Sequence, residues 1–246
     1  MIFSYAKYLK EKVLRKLFWF YKLNNISFGK SPKITFPIKV EGQGKINIGN
    51  NAVLGRMTNF GIGKSAKLTI GNKCITEDDA TIIIDTNFSL VTGQNFKLGR
   101  NARLYVKSDW VIGDNVSIET YCSIFAREPE KSGKLVIGND TNIGDYTIID
   151  LVDDVIIGDT VAIGPNSTLY THDHIYSDKN VAAWKGGLIK KPIRICDGAW
   201  VGSGVTILPG VTIGERCIIA AGSVVTKSTQ PNAIYGGVPA KLIKNI

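Results

Sequence analysis

Cysteines are few in this chain. Four are scattered along its 246 residues, and no two of them form a Cys-x-x-Cys pair. This excludes a dithiol redox motif or a cysteine-rich zinc site, and isolated cysteines are typical of a reducing compartment. Apolar runs of about 20 residues, which a membrane-spanning helix needs, are also missing. Charges interrupt the first 25 residues, and no small-residue cleavage site follows, so they do not resemble a signal peptide. We therefore expect a cytoplasmic protein.

Acidic residues are scarce at the start of the chain. Up to Asn47 there are ten lysines and arginines against two acidic residues, Glu11 and Glu41, which accounts for +8 of the net charge of +9. A basic leader on a nearly neutral body favours contact with an anionic partner or a membrane surface. Nucleic acid is disfavoured as a partner, because no basic stripe or recognisable binding motif runs through the body.

A six-residue repeat fills most of the chain. Every sixth residue from Ile195 is a β-branched aliphatic, and the fifth residue of each unit is small or short. The aliphatic series is Ile195, Val201, Ile207, Ile213, Ile219 and Val225, and the small series is Ala199, Val205, Val211, Cys217 and Ser223. Such a period fits a short strand and a tight bend repeated many times, with both series pointing inward.

The same pattern returns upstream, with two residues inserted between Ile149 and Ile157 and no secure phase over Thr76–Asn95. Glycines often follow the aliphatic residue, and we expect them to permit unusual backbone angles at the bend. Cys74, Cys122 and Cys217 fall at the small inward position, which indicates that they fill the core.

This repeat resembles the left-handed parallel β-helix of the hexapeptide-repeat acyltransferase superfamily, over about Gly44–Val225. The resemblance implies an all-β solenoid with triangular coils of eighteen residues. It alone implies the left-handed sense, since general rules for parallel crossovers predict the right-handed one. We expect the solenoid to span residues 26–227, with a loop extruded at about 173–192 and a C-terminal extension at 228–246.

The extruded loop holds the chain's only two histidines, His172 and His174. Irregular insertions on rigid scaffolds often carry function, and histidine suits general base work on a hydroxyl. The sequence from Tyr170 to Asp178 resembles the catalytic loop of sugar O-acetyltransferases in this superfamily. In those loops the base lies two residues before an aromatic and four before an acid. His174 fits that spacing, with His172 as the runner-up.

Further site residues follow from the same loop and the segment after it. Asp173 and Asp178 either orient an imidazole or form turns. Trp184 is a candidate to cover a sugar ring. Trp200 either borders the acceptor or cofactor groove or packs at a coil corner.

A second resemblance lies near the C-terminus. Ile219–Lys227, followed by Tyr235–Lys241, is similar to the closing segment of acetyl-CoA-dependent members, including maltose-type and polysaccharide acetyltransferases. The resemblance implies that acetyl-CoA is bound by Ser203, Ala221, Thr226, Lys227 and Lys241. Lys227 and Lys241 are equally explained as solvated charges, and the segment from Gly236 to Pro239 as a turn that ends the solenoid.

Residues 1–25 carry apolar positions at steps of three or four, which predicts an amphipathic basic helix. One interpretation places this helix on the inner membrane surface, where a lipid-linked glycan would be presented. The other places it against the protein itself, covering the open edge of the first coil. Both alternatives stay open at this point.

Together these features predict an acetyl-CoA-dependent O-acetyltransferase acting on a saccharide hydroxyl in cell-surface polysaccharide biosynthesis. The resemblance also implies a homotrimer with sites shared between subunits, and we expect direct transfer and no metal cofactor. An N-acetyltransferase acting on an amino sugar, including a nucleotide-linked one, is the runner-up. The metal hydratases of this fold need three histidines per site, drawn from separated positions. Two histidines that lie two residues apart in one loop are a poor match. A catalytically silent scaffold is the last alternative.

Overall fold

The computed structural model describes residues 8–10, 12, 13, 17, 25–128 and 132–246. Short strands wind around three faces of a prism, and each strand pairs in parallel with its counterpart in the next coil. A parallel β-helix of about nine coils results, which confirms the predicted fold class. Among the described residues no helix has the length and apolarity that crossing a bilayer requires.

The strands fall into three sheets. The first face contains Ile26–Phe28, Lys45–Ile48, Lys67–Ile70, Ser89–Thr92, Trp110–Ile112, Leu135–Ile137, Val155–Ile157, Ile193–Ile195 and Thr212–Ile213. The second face contains Lys33–Ile34, Val53–Leu54, Ile75–Thr76, Lys97–Leu98, Ser117–Ile118, Asn142–Ile143, Ala162–Ile163, Trp200–Val201, Ile218–Ile219, Ala233–Gly237 and Ala240–Asn245. The third face contains Lys39–Gly42, Asn59–Ile62, Thr81–Ile84, Arg103–Val106, Ser123–Phe125, Ile148–Asp150, Thr168–Tyr170, Thr206–Ile207 and Val224–Val225.

Two elements stand outside this winding. His172–His174 and Leu188–Lys190 form an antiparallel pair, and a short 3-10 turn, Ala183–Lys185, lies between them. The last two strands of the second face form an antiparallel hairpin, of which Ala233–Gly237 also pairs in parallel with Ile218–Ile219.

The core is the line of inward side chains that the six-residue repeat predicts. Ile195, Ala199 and Val201 each leave at most 1% of their surface exposed, and the pattern continues to Val225. Cys74, Cys122 and Cys217 are buried in the same line, so the prediction that they fill the core is confirmed. Each inward residue therefore adds apolar area to one continuous core that runs the length of the stack.

Most coils are longer than the eighteen residues that the family resemblance implies. Ile46 pairs with Leu68, 22 positions later, whereas Ile195 pairs with Ile213 after 18. Early coils have four-residue strands on the first and third faces, and late coils have strands of two or three. Since side chains alternate along a strand, an extra pair of residues adds one inward and one outward position and keeps the core intact.

These extra pairs explain why Thr76–Asn95 resists phasing from sequence. Within it, Thr81–Ile84 and Ser89–Thr92 are both four-residue strands, so the six-residue count slips twice. Thr76 and Thr92 are polar residues at buried positions, which hides the aliphatic signal further.

The glycine that follows the aliphatic residue has a different role from the predicted one. A Cβ atom at Gly164 would lie 2.5 Å from the backbone nitrogen of Ser203, and one at Gly202 would lie 2.7 Å from that of Ala221. Glycine is needed there because successive coils approach closely. The left-handed conformation occurs instead just before the small inward residue, as at Asn166 with φ 58°. Asparagine tolerates this region better than most residues.

The amphipathic helix predicted over residues 1–25 falls largely outside the described residues. Those that are described, residues 8–10, 12, 13 and 17, are helical and exposed. The ammonium of Lys12 lies 5.6 Å from the centre of the Tyr8 ring. These contacts test neither the membrane interpretation nor the packing one.

Candidate active site

The connections of three successive coils begin side by side at one edge of the solenoid, where the third face meets the first. Phe125 pairs with Asp150, and Asp150 pairs with Tyr170, so three strands end side by side. The segments that follow them, 126–134, 151–154 and 171–192, therefore begin at one place, which we call the histidine edge. Side chains far apart in sequence meet there.

The longest of these segments is the antiparallel arm, residues 172–192. Its base is fixed by Thr171, which is fully buried. The Thr171 hydroxyl donates to the Asp150 carbonyl at 2.7 Å and accepts from the Asp153 N–H at 2.9 Å. The Lys191 N–H donates to the Thr171 carbonyl at 2.9 Å, where the arm returns. The arm thus leaves from a hydrogen-bonded anchor in the core.

The side chain of His172 is largely buried, with 8% of its surface exposed. Its Nδ1 lies 3.3 Å from Oδ2 of Asp150, and its Nε2 lies 3.7 Å from Oε1 of Glu128. The Asp150 side chain is fully buried. Burial raises the pKa of its carboxyl, and the backbone N–H of Arg127 and the imidazole of His172 oppose that rise. His172 therefore lies between two carboxylates.

His174 is half-buried and lies on the same side of the arm as His172. The two rings are 5.8 Å apart and nearly perpendicular, at 77°. Nδ1 of His174 is 3.5 Å from the carbonyl of Gly186, at the outer limit of a hydrogen bond.

The aspartates predicted to orient an imidazole have other partners. Asp173 points to the opposite side of the strand from both histidines, and its Oδ1 accepts from the His174 N–H at 2.8 Å. Asp178 accepts from the Asn180 N–H at 2.9 Å and stabilises the turn at the arm's tip. Turn formation, the alternative for both aspartates, is what their hydrogen bonds support.

The two candidate tryptophans are separated in the structure. Trp184 lies in the 3-10 turn of the arm with 70% of its surface exposed, and the Lys185 ammonium is 5.1 Å from its ring centre. Trp200 points outward from the second face, between Ala162 and Ile218 of the neighbouring coils, with 57% exposed. Within one subunit, therefore, only Trp184 belongs to the arm.

The residues predicted to bind acetyl-CoA lie on two edges that border the third face. Ser203 and Ala221 are exposed at the edge with the second face, where the Gly222 N–H donates to the Ser203 carbonyl at 2.8 Å. Lys241 pairs with Gly236 in the hairpin that packs against this edge.

Thr226 and Lys227 follow the strand Val224–Val225, so they lie at the histidine edge, two coils beyond the arm. Both are exposed. A ligand that touched all the predicted residues would cross the outer surface of the third face.

Sequence reasoning missed Asp150 and Glu128. Asp150 stands between Ile149 and Leu151, two fully buried aliphatic residues, and an acid in such a run is a signal of a special role. Its pairing with the residue just before the arm could have been inferred from the coil period. Glu128 belongs to a segment without hexads, and no comparable signal marks it.

The chain was compared with known proteins. Residues 192–227 match the family described as bacterial transferase hexapeptide (six repeats). The protein WbbJ of Escherichia coli K12, named for O-acetyl transfer in lipopolysaccharide biosynthesis, is 32% identical over 173 residues, which are 70% of this chain and 75% of that one. Galactoside O-acetyltransferase of the same organism is 42% identical over 108 residues, 44% of this chain and 49% of that enzyme. The chain spans about half the length, or less, of several of the relatives it matches.

Among solved structures, the polySia-specific acetyltransferase NeuO superposes with a TM-score of 0.55 at 23% identity, over 90% of this chain and 87% of that one. At that identity the similarity shows the fold alone. From the coil architecture, the family match and the extended similarity to the Escherichia coli protein, we conclude that this chain belongs to the hexapeptide-repeat transferase family.

Proposed function

We propose that the protein is an acetyl-CoA-dependent O-acetyltransferase that modifies a saccharide hydroxyl in the biosynthesis of a cell-surface polysaccharide. The observation that carries this proposal is the arm at the histidine edge, which presents a half-buried His174 next to a largely buried His172. The names of two relatives, for O-acetyl transfer in lipopolysaccharide biosynthesis and to galactosides, support the reaction and the class of acceptor.

His174 is the proposed general base. It takes the proton of the acceptor hydroxyl while the oxygen attacks the thioester carbonyl of acetyl-CoA. When the carbon–sulfur bond breaks, the acetyl group stays on the sugar oxygen and the imidazolium returns its proton to the departing thiolate of CoA. His172 supports the ring of His174 through their edge-to-face contact.

Direct transfer is favoured over an acyl-enzyme. Burial raises the pKa of Cys74 to about 11 and that of Cys122 to about 12, and it raises the pKa of Cys217 as well. A thiol attacks as its thiolate, so these three buried cysteines are poor nucleophiles at neutral pH.

The third face between the two edges is the proposed path of acetyl-CoA. Ser203 and Ala221 are small and exposed, which suits the close approach of an extended pantetheine arm to the backbone. Thr226 and Lys227 would contact the cofactor at the histidine edge, and the charge of Lys241 suits its phosphates. We propose a homotrimer, in which a neighbouring subunit completes the groove. Trp200 would reach an acceptor only across such an interface, whereas Trp184 would reach it from the arm itself.

The test combines turnover with identification of the product. We expect His174→Ala to lower the transfer of acetyl to a saccharide by about 10²- to 10⁴-fold, the usual contribution of a general base, with acetyl-CoA binding retained. Lys179→Ala, at the exposed tip of the arm, is the control and should transfer acetyl at the wild-type rate. Mass spectrometry of the host glycan with and without the protein should show a base-labile shift of one acetyl group.

Two results would contradict the proposal. Unchanged turnover in His174→Ala would remove the base assignment, and a full loss in His172→Ala alone would transfer that role to His172. A base-stable acetyl group on an amino sugar would replace O-acetylation with N-acetylation.

A further inference from the structure

Glu128, His172 and His174 present three potential metal ligands to one point. One donor atom from each lies within 4.8 Å of the other two. The two histidines share a side of the arm, and the perpendicular arrangement of their rings turns different ring edges toward the same space. Glu128 reaches this space from two coils earlier, along the histidine edge. Two imidazoles and one carboxylate are a ligand set that zinc and iron sites use.

A second, independent observation lies behind His172. Nδ1 of His172 and Oδ2 of Asp150 are both buried, yet neither makes a hydrogen bond with a described residue. They face each other at 3.3 Å, close enough to bond but out of alignment. The guanidinium of Arg127 contributes only a longer ion-pair contact, with its Nε 3.5 Å from Oδ2 of Asp150. Buried polar atoms that make no hydrogen bond are destabilising, so native structures contain few of them.

Metal coordination explains why these two atoms face each other without a hydrogen bond. A histidine that binds a metal through one ring nitrogen usually donates the other N–H to a carboxylate, which fixes the tautomer and the ring orientation. With an ion at Nε2 of His172, the proton stays on Nδ1 and a small ring rotation directs it at Asp150. The Asp150 carboxylate is therefore already in the place that the outer shell of a metal site requires.

We propose that Glu128, His172 and His174 bind one divalent transition metal ion, with Zn²⁺ as the best match to the donor set. Bonds of about 2.0–2.2 Å to nitrogen and oxygen require the donors to draw closer by roughly 1–2 Å. Rotations of the half-buried Glu128 and His174 side chains supply that movement. Mg²⁺ and Ca²⁺ are poor matches, because they prefer oxygen ligands.

A bound ion would occupy the lone pair that a general base needs. Zn²⁺ is therefore expected to inhibit acetyl transfer, and this consequence, unlike the binding itself, rests on the proposed function. The sequence prediction of no metal cofactor considered histidines alone, and Glu128 supplies the third ligand that it lacked.

The test uses the full chain without a polyhistidine tag, so that the two native histidines are the only ones present. After treatment with a chelator, equilibrium dialysis against Zn²⁺ should give one tightly bound ion per chain, and Co²⁺ should give the visible absorption of a nitrogen- and oxygen-ligated site. Mg²⁺ at the same concentration should not compete.

Matched variants locate the ion. Glu128→Gln, at a half-buried position outside the core, should weaken Zn²⁺ binding at least tenfold. Asp150→Asn should weaken it by about 10- to 100-fold, as outer-shell changes do. Glu119→Gln, which removes a carboxylate that contacts Lys97 on the second face, is the control and should bind Zn²⁺ as the wild type does.

Two results would overturn the site: no stoichiometric Zn²⁺ binding, or binding that Glu128→Gln and Asp150→Asn leave unchanged. Binding that depends on these residues in a protein without acetyl transfer would support the site and reject the proposed function. Binding of that kind without inhibition of transfer would also support the site, and it would remove His174 as the base.

Discussion

Thr171 is the residue on which the arm depends, and Thr171→Val isolates its hydroxyl. Valine keeps the branched shape in a fully buried position but can neither donate to the Asp150 carbonyl nor accept from the Asp153 N–H. Each lost bond leaves a partner that costs about 1–2 kcal/mol when it is not satisfied elsewhere. We therefore expect a loss of about 2–4 kcal/mol in the free energy of unfolding, or about 30- to 700-fold in the unfolding equilibrium.

Thr168→Val is the matched control, at the start of the strand that ends just before Thr171. Thr168 is half-buried, and its hydroxyl makes no hydrogen bond to a described residue. Urea unfolding followed by circular dichroism, with the slopes compared as well as the midpoints, measures both variants. If Thr171→Val falls within about 0.5 kcal/mol of Thr168→Val, the hydroxyl does not anchor the arm and the reasoning is wrong.

Three further predictions follow. In the native protein only Cys196 should react quickly with a thiol reagent at pH 8, because burial raises the pKa of Cys122 to about 12 and the other two cysteines are also buried; a second fast thiol would contradict this burial. The hydrogen bond to Glu119 raises the pKa of Lys97. Lys97→Met should therefore lower the melting temperature by an amount that is constant from neutral pH to about pH 10.4 and shrinks as pH rises through the folded pKa. A difference that widens there would refute the pairing. Removal of residues 1–25 should abolish co-sedimentation with anionic vesicles if the leader lies on a membrane, whereas unchanged sedimentation and a lower melting temperature would favour packing on the protein.

The sequence predicts the solenoid well because the six-residue spacing of inward aliphatic residues recurs in nearly every coil. Ile195, Val201 and their successors repeat with one chemistry, since each inward position meets the same geometry in each coil. Coil length is predicted poorly, because an added pair of residues changes the count without changing which side chains point inward. A search for a strict six-residue period does not detect these added pairs of residues.

The candidate site is predicted only in part, for a different reason. His172 and His174 lie in one insertion, so the sequence alone places them together. Asp150 and Glu128 join them through the winding of the chain, which brings successive coils to one edge. Recognition of that contact requires the coil period to be counted correctly across an irregular stretch, and the stretch around Glu128 has no hexads to count.

The paired lengthening of early strands bears on how such proteins tolerate insertions and deletions. One residue added after Thr81 would reverse inside and outside up to the next bend, so that Ile82 and Ile84 would point outward and Ile83 inward. Two added residues would leave the pattern whole and merely widen the coil. Changes in coil length during evolution should therefore occur by even numbers of residues. The decrease from long early coils to short late ones is consistent with such paired changes.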